Sequence, residues 1–131
     1  MKISAIIKNG PGANEVLVST NENKKILTIP AKESGQGSSI NGGELLFTAL
    51  ATCVCNDLYR EAARRKITIK GVEVGVSGDF GAEGEPASNI NYQVKIESDH
   101  PKHEIQDLID HVDQVAEIHN TLRKGTQVKL I

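Results

Sequence analysis

The chain has 131 residues, of which 38% are hydrophobic and 24% charged, with 15 basic residues against 17 acidic ones and a formal charge of −2. The length suits one domain, because chains usually split only beyond about 250 residues, and the charge balance excludes the basic footprint of a nucleic-acid binder or of a protein held on an anionic membrane. No apolar run approaches the roughly 18 residues of a membrane-spanning helix, and a chain with two Tyr, two Phe and no Trp has little with which to stack on bases.

The start of the chain, Met1 to Lys8, has a short apolar stretch and no small-residue cleavage site, so no secretory signal is expected. Two cysteines cannot form a disulfide scaffold, and a reducing cytoplasmic setting is the expectation. Lys2–Lys8, Glu15–Ser19 and Lys25–Ile29 read as three short strands, separated by turns at Asn9-Gly10-Pro11-Gly12 and Asn21-Glu22-Asn23. Together they predict an antiparallel meander stopped by Pro30. Ala31 to Ile40 has no periodicity and reads as a loop.

Asn41-Gly42-Gly43-Glu44 opens a helix, with Asn41 placed to cap it and Glu44 three residues on as a variant of the capping box. Without an internal Pro or Gly the helix is predicted to run to Lys66, about 37 Å. Its first half, Leu45 to Cys55, carries no charge on any face, and its second half, Asn56 to Lys66, is heavily charged. Ile67-Thr68-Ile69 and Val72 to Gly78 predict a strand with a bulge at Gly71 or Gly75, and Ile90–Glu97 predicts a period-two strand with Ile90, Tyr92, Val94 and Ile96 on one face. A helix follows from Lys102 to Ala116, then a short helical turn at His119–Arg123 ended by Gly125, and a last strand at Thr126–Ile131. The order βββ-α-ββ-α-β is that of an α+β fold in one domain, with N-terminal strands and loop in 1–40, a central helix in 41–66 and a ββαβ part in 67–131.

A helix that is apolar all round must be buried all round. One sheet from a chain of this length is not enough for that, so a homodimer is expected, with the central helices of two copies between two sheets.

Cys53 and Cys55 stand in the middle of that uncharged helix. At i and i+2 they point about 200° apart and cannot share a bridge or a metal while the helix holds. Free cysteine is commonly a small buried hydrophobe, and a reactive thiol needs a nearby cation or a helix N-terminus. Asp57, at i+4 from Cys53, would raise the thiol pKa if it faced the same way, so an activating cation would have to come from elsewhere in the fold or from the other subunit. His100, His103, His111 and His119 do not form a ligand pattern, so no metal is expected; His119, beside the apolar Ile118, is placed to approach a thiol. The glycine stretches Gly35-Gln36-Gly37 and Gly78-Asp79-Phe80-Gly81 lack the context of a phosphate loop, so no nucleotide cofactor is expected. Arg60, Arg64, Arg65 and Lys66 read as a solvated helix end.

Asn41 to Cys53, the helix end Ala63-Arg64-Arg65-Lys66-Ile67, the segment Val72 to Gly78, and the late Ile118-His119-Asn120-Thr121-Leu122 followed by Gly125 resemble the OsmC/Ohr family of thiol peroxidases. The resemblance implies an intertwined homodimer with two long central helices enclosed by sheets from both chains. It also implies reduction of organic hydroperoxides by a peroxidatic cysteine that matches Cys53, restored by external thiols, with an apolar pocket at the subunit interface. The chain departs from the family in three places. The family's resolving cysteine begins a Cys-Pro pair where this chain has Ala116-Glu117. The activating Arg of the N-terminal strands is missing, since no Arg precedes Arg60 and only lysines such as Lys24, Lys25 and Lys32 are available. The glutamate that orients that Arg would stand at Gly43, and Glu44 lies one position later. Two functions follow as expectations: a one-cysteine redox enzyme working through Cys53 with an external thiol reductant, or a non-catalytic dimer of the same fold that binds a small lipophilic molecule at its interface.

Overall fold

Turn chemistry sets the first strands. β1 (Ile3–Gly10), β2 (Ala13–Thr20) and β3 (Asn23–Ile26) form an antiparallel meander in that order in the computed structural model, which describes all 131 residues. Gly10 pairs with Ala13 around Pro11-Gly12, and Thr20 pairs with Asn23 around Asn21-Glu22. Both turns use a left-handed residue, Gly12 at φ 67° and Asn21 at φ 53°, which Gly and Asn tolerate best. β3 begins and ends earlier than the sequence suggests. Beyond Ile26, Leu27 N–H still donates to the Val16 carbonyl at 3.0 Å, then Asn14 Nδ2 donates to the Ile29 carbonyl at 3.0 Å. A side-chain bond thus replaces the ladder and holds Ile29 buried outside the strand.

The chain divides into two compact units, residues 1–45 and 46–131. Helix α1 (Gly42–Arg64) starts at the end of the first. Asn41 Oδ1 accepts from the Glu44 N–H at 2.9 Å while Glu44 Oε2 accepts from the Asn41 N–H at 2.7 Å, the reciprocal pair expected of a capping box. The helix stops two residues short of Lys66. Lys66 takes φ 58°, Ile67 N–H donates to the Ala62 carbonyl at 2.8 Å, and Lys66 N–H donates to the Ala63 carbonyl at 3.2 Å. These are the two bonds of a Schellman motif, here with lysine where glycine is usual.

That motif turns Ile67 into the core, so 67–69 form a connection rather than the first part of a strand. β4 (Gly71–Asp79) pairs antiparallel with β5 (Ser88–Glu97). The irregularity lies between Ser77 and Asp79, not at Gly71 or Gly75. A Cβ at Gly78 would come within 2.9 Å of Phe47 Cζ and 3.2 Å of Ile90 Cα, so the bare backbone at Gly78 leaves room for the Phe47 ring. α2 (Lys102–Val115) and α3 (Glu117–Lys124) complete the second unit. Its core joins Val54, Leu58 and Ala62 of α1 to Leu108 and Val112 of α2, with Val72, Val74, Val94 and Ile96 of the sheet packed against them. The expected alternation in β5 is visible from Tyr92 onward: Tyr92, Val94 and Ile96 are half-buried while their neighbours are exposed, but Ile90, expected on the same face, is 39% exposed.

The last predicted strand does not form. Thr126–Ile131 has no ladder partner, and Val128, Leu130 and Ile131 are almost wholly exposed. A strand exists only through its neighbour, and no strand of this chain pairs with it. On the uncharged half of α1, Leu50 and Val54 are buried while Ala49 and Thr52 remain exposed. Light scattering is expected to give the mass of two chains, since a second copy would cover such a face; a single-chain mass at micromolar concentration would refute that.

Candidate active site

Cys53 sits on α1 one turn before Asp57, and its sulfur is half-buried. The helix spacing brings the two together, with Sγ 3.9 Å from Asp57 Oδ2. The first turn of α3 also comes close to the sulfur: a Glu117 carboxylate oxygen lies within 4.8 Å of it, and the backbone N–H groups of Ile118 and Glu117 favour its thiolate. Those amides are among the four at a helix start that have no intrahelical acceptor. The site therefore contains a helix N-terminus after all, supplied by α3 and not by the helix that carries the cysteine.

Burial pushes the Cys53 thiol up, and the nearby carboxylates of Asp57 and Glu117 push the same way; the two amides oppose them and do not prevail. The Cys53 sulfur and one oxygen each of Asp57 and Glu117 lie within 4.8 Å of one another. These three have the reach to hold a divalent ion, but Asp57 Oδ1 is already bonded to Arg60 Nη1 at 2.6 Å. Cys55, two residues on, lines a separate shallow cavity with Ala51, Asn56 and Val74.

Two carboxylates that look solvated in the sequence are buried. Asp57 is 3% exposed and Glu61 is 5% exposed. Glu61 accepts from Arg60 Nε at 3.1 Å and Arg64 Nη1 at 2.7 Å, and His111 Nε2 lies 3.4 Å away. The Arg60 hydrogen bond first, then the charges of Arg64 and His111, hold the Glu61 carboxyl below its ordinary range against burial. The reading of Arg60 and Arg64 as a merely solvated helix end is thus corrected, because both anchor buried acids. Arg65 and Lys66 are exposed.

Glu44 is engaged at the helix start in the capping box with Asn41, about two and a half turns before Cys53. His119 is on α3, next to Ile118, but it is only 6% exposed and neither ring nitrogen has a hydrogen-bond partner. Its ring packs edge-on against Tyr92, with centroids 4.8 Å apart. Burial, then the charge of Arg123, lowers its pKa. Of the other histidines, His100 is a local brace, accepting the Thr68 N–H at Nε2 and meeting Glu104 at Nδ1, each at 3.2 Å.

A cluster missed in the sequence lies beside His119. Tyr92 OH donates to Asp113 Oδ1 at 2.5 Å, and Arg123 Nη2 donates to the same oxygen at 2.6 Å. Arg123 Nη1 also donates to the Asp113 carbonyl at 2.9 Å, which ties α3 back to α2. The Tyr92 and Arg123 hydrogen bonds lower the Asp113 carboxyl, while burial and then Asp113 raise the Tyr92 phenol. The clue available in sequence was an aromatic with a polar tip on the buried face of β5.

Comparison with known proteins agrees with this architecture. The family model described as OsmC-like protein matches residues 35–131. No curated protein matches the chain. The structure of an OsmC-like protein from Mycoplasma pneumoniae is similar, with a TM-score of 0.66 and 23% identity over 98% of this chain and 90% of that one. An organic hydroperoxide resistance protein from Elizabethkingia anophelis aligns with a TM-score of 0.64 and 20% identity over 99% of this chain and 94% of that one. An organic hydroperoxide resistance protein from Legionella pneumophila aligns with a TM-score of 0.59 and 22% identity over 97% and 94%.

Proposed function

The chain belongs to the OsmC-like protein family, and from that premise we propose that it is a thiol-dependent reductant of organic hydroperoxides that works through Cys53 alone. In this reading the Cys53 thiolate attacks the terminal oxygen of R–O–O–H. The S–O bond forms as the O–O bond breaks; the alkoxide leaves, takes up a proton and departs as the alcohol, and sulfur is oxidised to a sulfenic acid. An external thiol condenses with that sulfenic acid and releases water, and a second thiol reduces the mixed disulfide. The observation that carries this reading is the position of the Cys53 sulfur beside the first turn of α3, within 4.8 Å of a Glu117 carboxylate oxygen, where the backbone amides of Ile118 and Glu117 favour the thiolate. Backbone N–H groups at a helix start favour negative charge on whatever faces them, first the thiolate and then the sulfenate oxygen. The copy-to-copy pairing expected for the exposed face of α1 belongs to the same reading.

The electrostatics make this a slow thiol at neutral pH. Burial, Asp57 and Glu117 keep it protonated, so the reactive fraction grows as pH rises toward the raised pKa. Consumption of cumene hydroperoxide with dithiothreitol as reductant, corrected for the reductant alone, is expected to climb about tenfold per pH unit from pH 6 to pH 8. Glu117 is exposed, so Glu117→Gln removes one opposing charge without disturbing the core. That variant is expected to be about two- to fivefold faster at pH 7, the size of one unit charge removed at close range in a wet site. A corrected rate of zero across the whole range would overturn the peroxidase reading.

A further inference from the structure

The charges around Cys53 do not cancel. Asp57 and Glu61 are buried acids of α1, and two arginines of the same helix stand against them: Arg60 Nη1 lies 2.6 Å from Asp57 Oδ1, and Arg64 Nη1 lies 2.7 Å from Glu61 Oε1. Those four charges balance. His119 of α3 adds no positive charge at neutral pH, because burial and then Arg123 lower its pKa, and Arg123 is itself bound to Asp113 at 2.6 Å. Glu117 is the surplus. One of its carboxylate oxygens lies within 4.8 Å of the Cys53 sulfur, the residue is exposed, and it takes part in none of the chain's ion pairs. Arg60 acts on Glu117 as a charge without pairing with it. The sulfur is only half-buried, so an unpaired carboxylate at that range presents a negative field to whatever comes to it from water. At close range in a wet site such a field changes the rate several-fold for each unit charge on the incoming molecule.

We propose that Glu117 selects the co-substrates of Cys53 by charge, so that the thiol that regenerates Cys53 is an aminothiol in preference to a thiol that carries a carboxylate. That preference rests on the peroxidase reading of Cys53, whereas the charge selection itself is measurable without any turnover. Reduction of the sulfenic acid begins with a thiolate. Its sulfur attacks the Cys53 sulfur, the S–S bond forms as the S–O bond breaks, and the oxygen leaves as hydroxide and takes up a proton to become water. Every attacking thiolate thus brings a negative charge toward Glu117. An ammonium group on the same small molecule makes that ion neutral overall, and a carboxylate makes it doubly negative. The two differ by two unit charges in the field of one carboxylate.

The test labels Cys53 in the full-length Cys55→Ser protein, where one thiol reports, with a trimethylammonioethyl and a sulfonatoethyl methanethiosulfonate. The thiolate fraction of Cys53 is common to both probes and cancels in the ratio of their rates. The probes' own reactivities cancel when that ratio is compared between proteins. At about 0.02 M salt, where charges act over roughly 20 Å, the cation-to-anion ratio is expected to be about five- to tenfold larger with Glu117 than with Glu117→Gln. At about 1 M salt, where that range is roughly 3 Å, the gap is expected to fall below about twofold. Glu117→Asp keeps the charge and is expected to keep most of the ratio. Equal ratios for Glu117 and Glu117→Gln overturn the proposal, as does a ratio that salt does not change, or a sulfur that neither probe labels. With cumene hydroperoxide in excess, so that reduction limits the rate, turnover with cysteamine relative to turnover with 3-mercaptopropionate is expected to fall about fivefold in Glu117→Gln; an unchanged quotient also overturns it. A protein that sorts the probes but consumes no hydroperoxide fails the peroxidase reading while the charge selection stands. One that consumes hydroperoxide without sorting the probes fails the charge selection alone.

Discussion

Cys53→Ser is expected to bring hydroperoxide consumption down to the rate of the reductant alone, whereas Cys55→Ser keeps the wild-type rate. The two side chains sit two residues apart on one helix but serve different surroundings. The Cys53 sulfur lies beside the first turn of α3, within 4.8 Å of a Glu117 carboxylate oxygen, and Cys55 lines a shallow cavity with Ala51, Asn56 and Val74. The amides of Ile118 and Glu117 favour charge on the Cys53 sulfur or on a sulfenate oxygen. A serine hydroxyl in the same place neither ionises at these pH values nor carries the two-electron redox change. Where a resolving cysteine would be needed for an internal disulfide, the chain has Ala116-Glu117, so the sulfenic acid persists until an external thiol arrives. Treating Cys55→Ser with one equivalent of hydroperoxide in the presence of dimedone is therefore expected to give an adduct on the peptide that contains Cys53. Unchanged turnover in Cys53→Ser would move the chemistry away from this sulfur altogether.

The parts of this molecule that were legible in its sequence are those fixed by near neighbours. The capping box at Asn41 and Glu44 spans three residues, and both of its hydrogen bonds form. The alternation of Tyr92, Val94 and Ile96 needs only a period of two. The last strand was not legible in the same way: Val128 and Leu130 have the right pattern, but a pattern cannot supply a partner edge. The end of α1 misled for another reason, because Lys66 occupies a left-handed position that sequence rules assign to glycine. At the candidate site the cysteine and Asp57 were visible as an i, i+4 pair on one helix. The amides of Glu117 and Ile118 lie more than sixty positions away and belong to backbone, which carries no sequence signature. Tyr92, Asp113 and Arg123 come together from three elements; Asp113 and Arg123 each look like an ordinary surface polar residue in the sequence, and only Tyr92 stands on a face marked as buried.

Leu58→Ala is expected to destabilise the protein by about 3 to 4 kcal/mol, the middle of the range for emptying a buried leucine site. Leu58 is fully buried, and so is Leu108 of α2; both belong to the cluster that joins α1 to α2 and to the sheet. The site cannot collapse easily, because its neighbours on the helix, Val54 and Ala62, are themselves buried and fixed by the same packing. In a chain of this length the loss corresponds to a fall in Tm of about 10 to 15 °C. Leu58→Met, which keeps the volume, is expected to cost less than about 1.5 kcal/mol. The comparison matters for the site as well as for the fold. Cys53 lies one turn and a residue before Leu58 and packs against the same cluster that joins α1 to α2. Urea unfolding of the two variants measures the difference directly. If Leu58→Ala matches Leu58→Met within error, the packing described for this core is wrong, and the geometry around the sulfur loses its support.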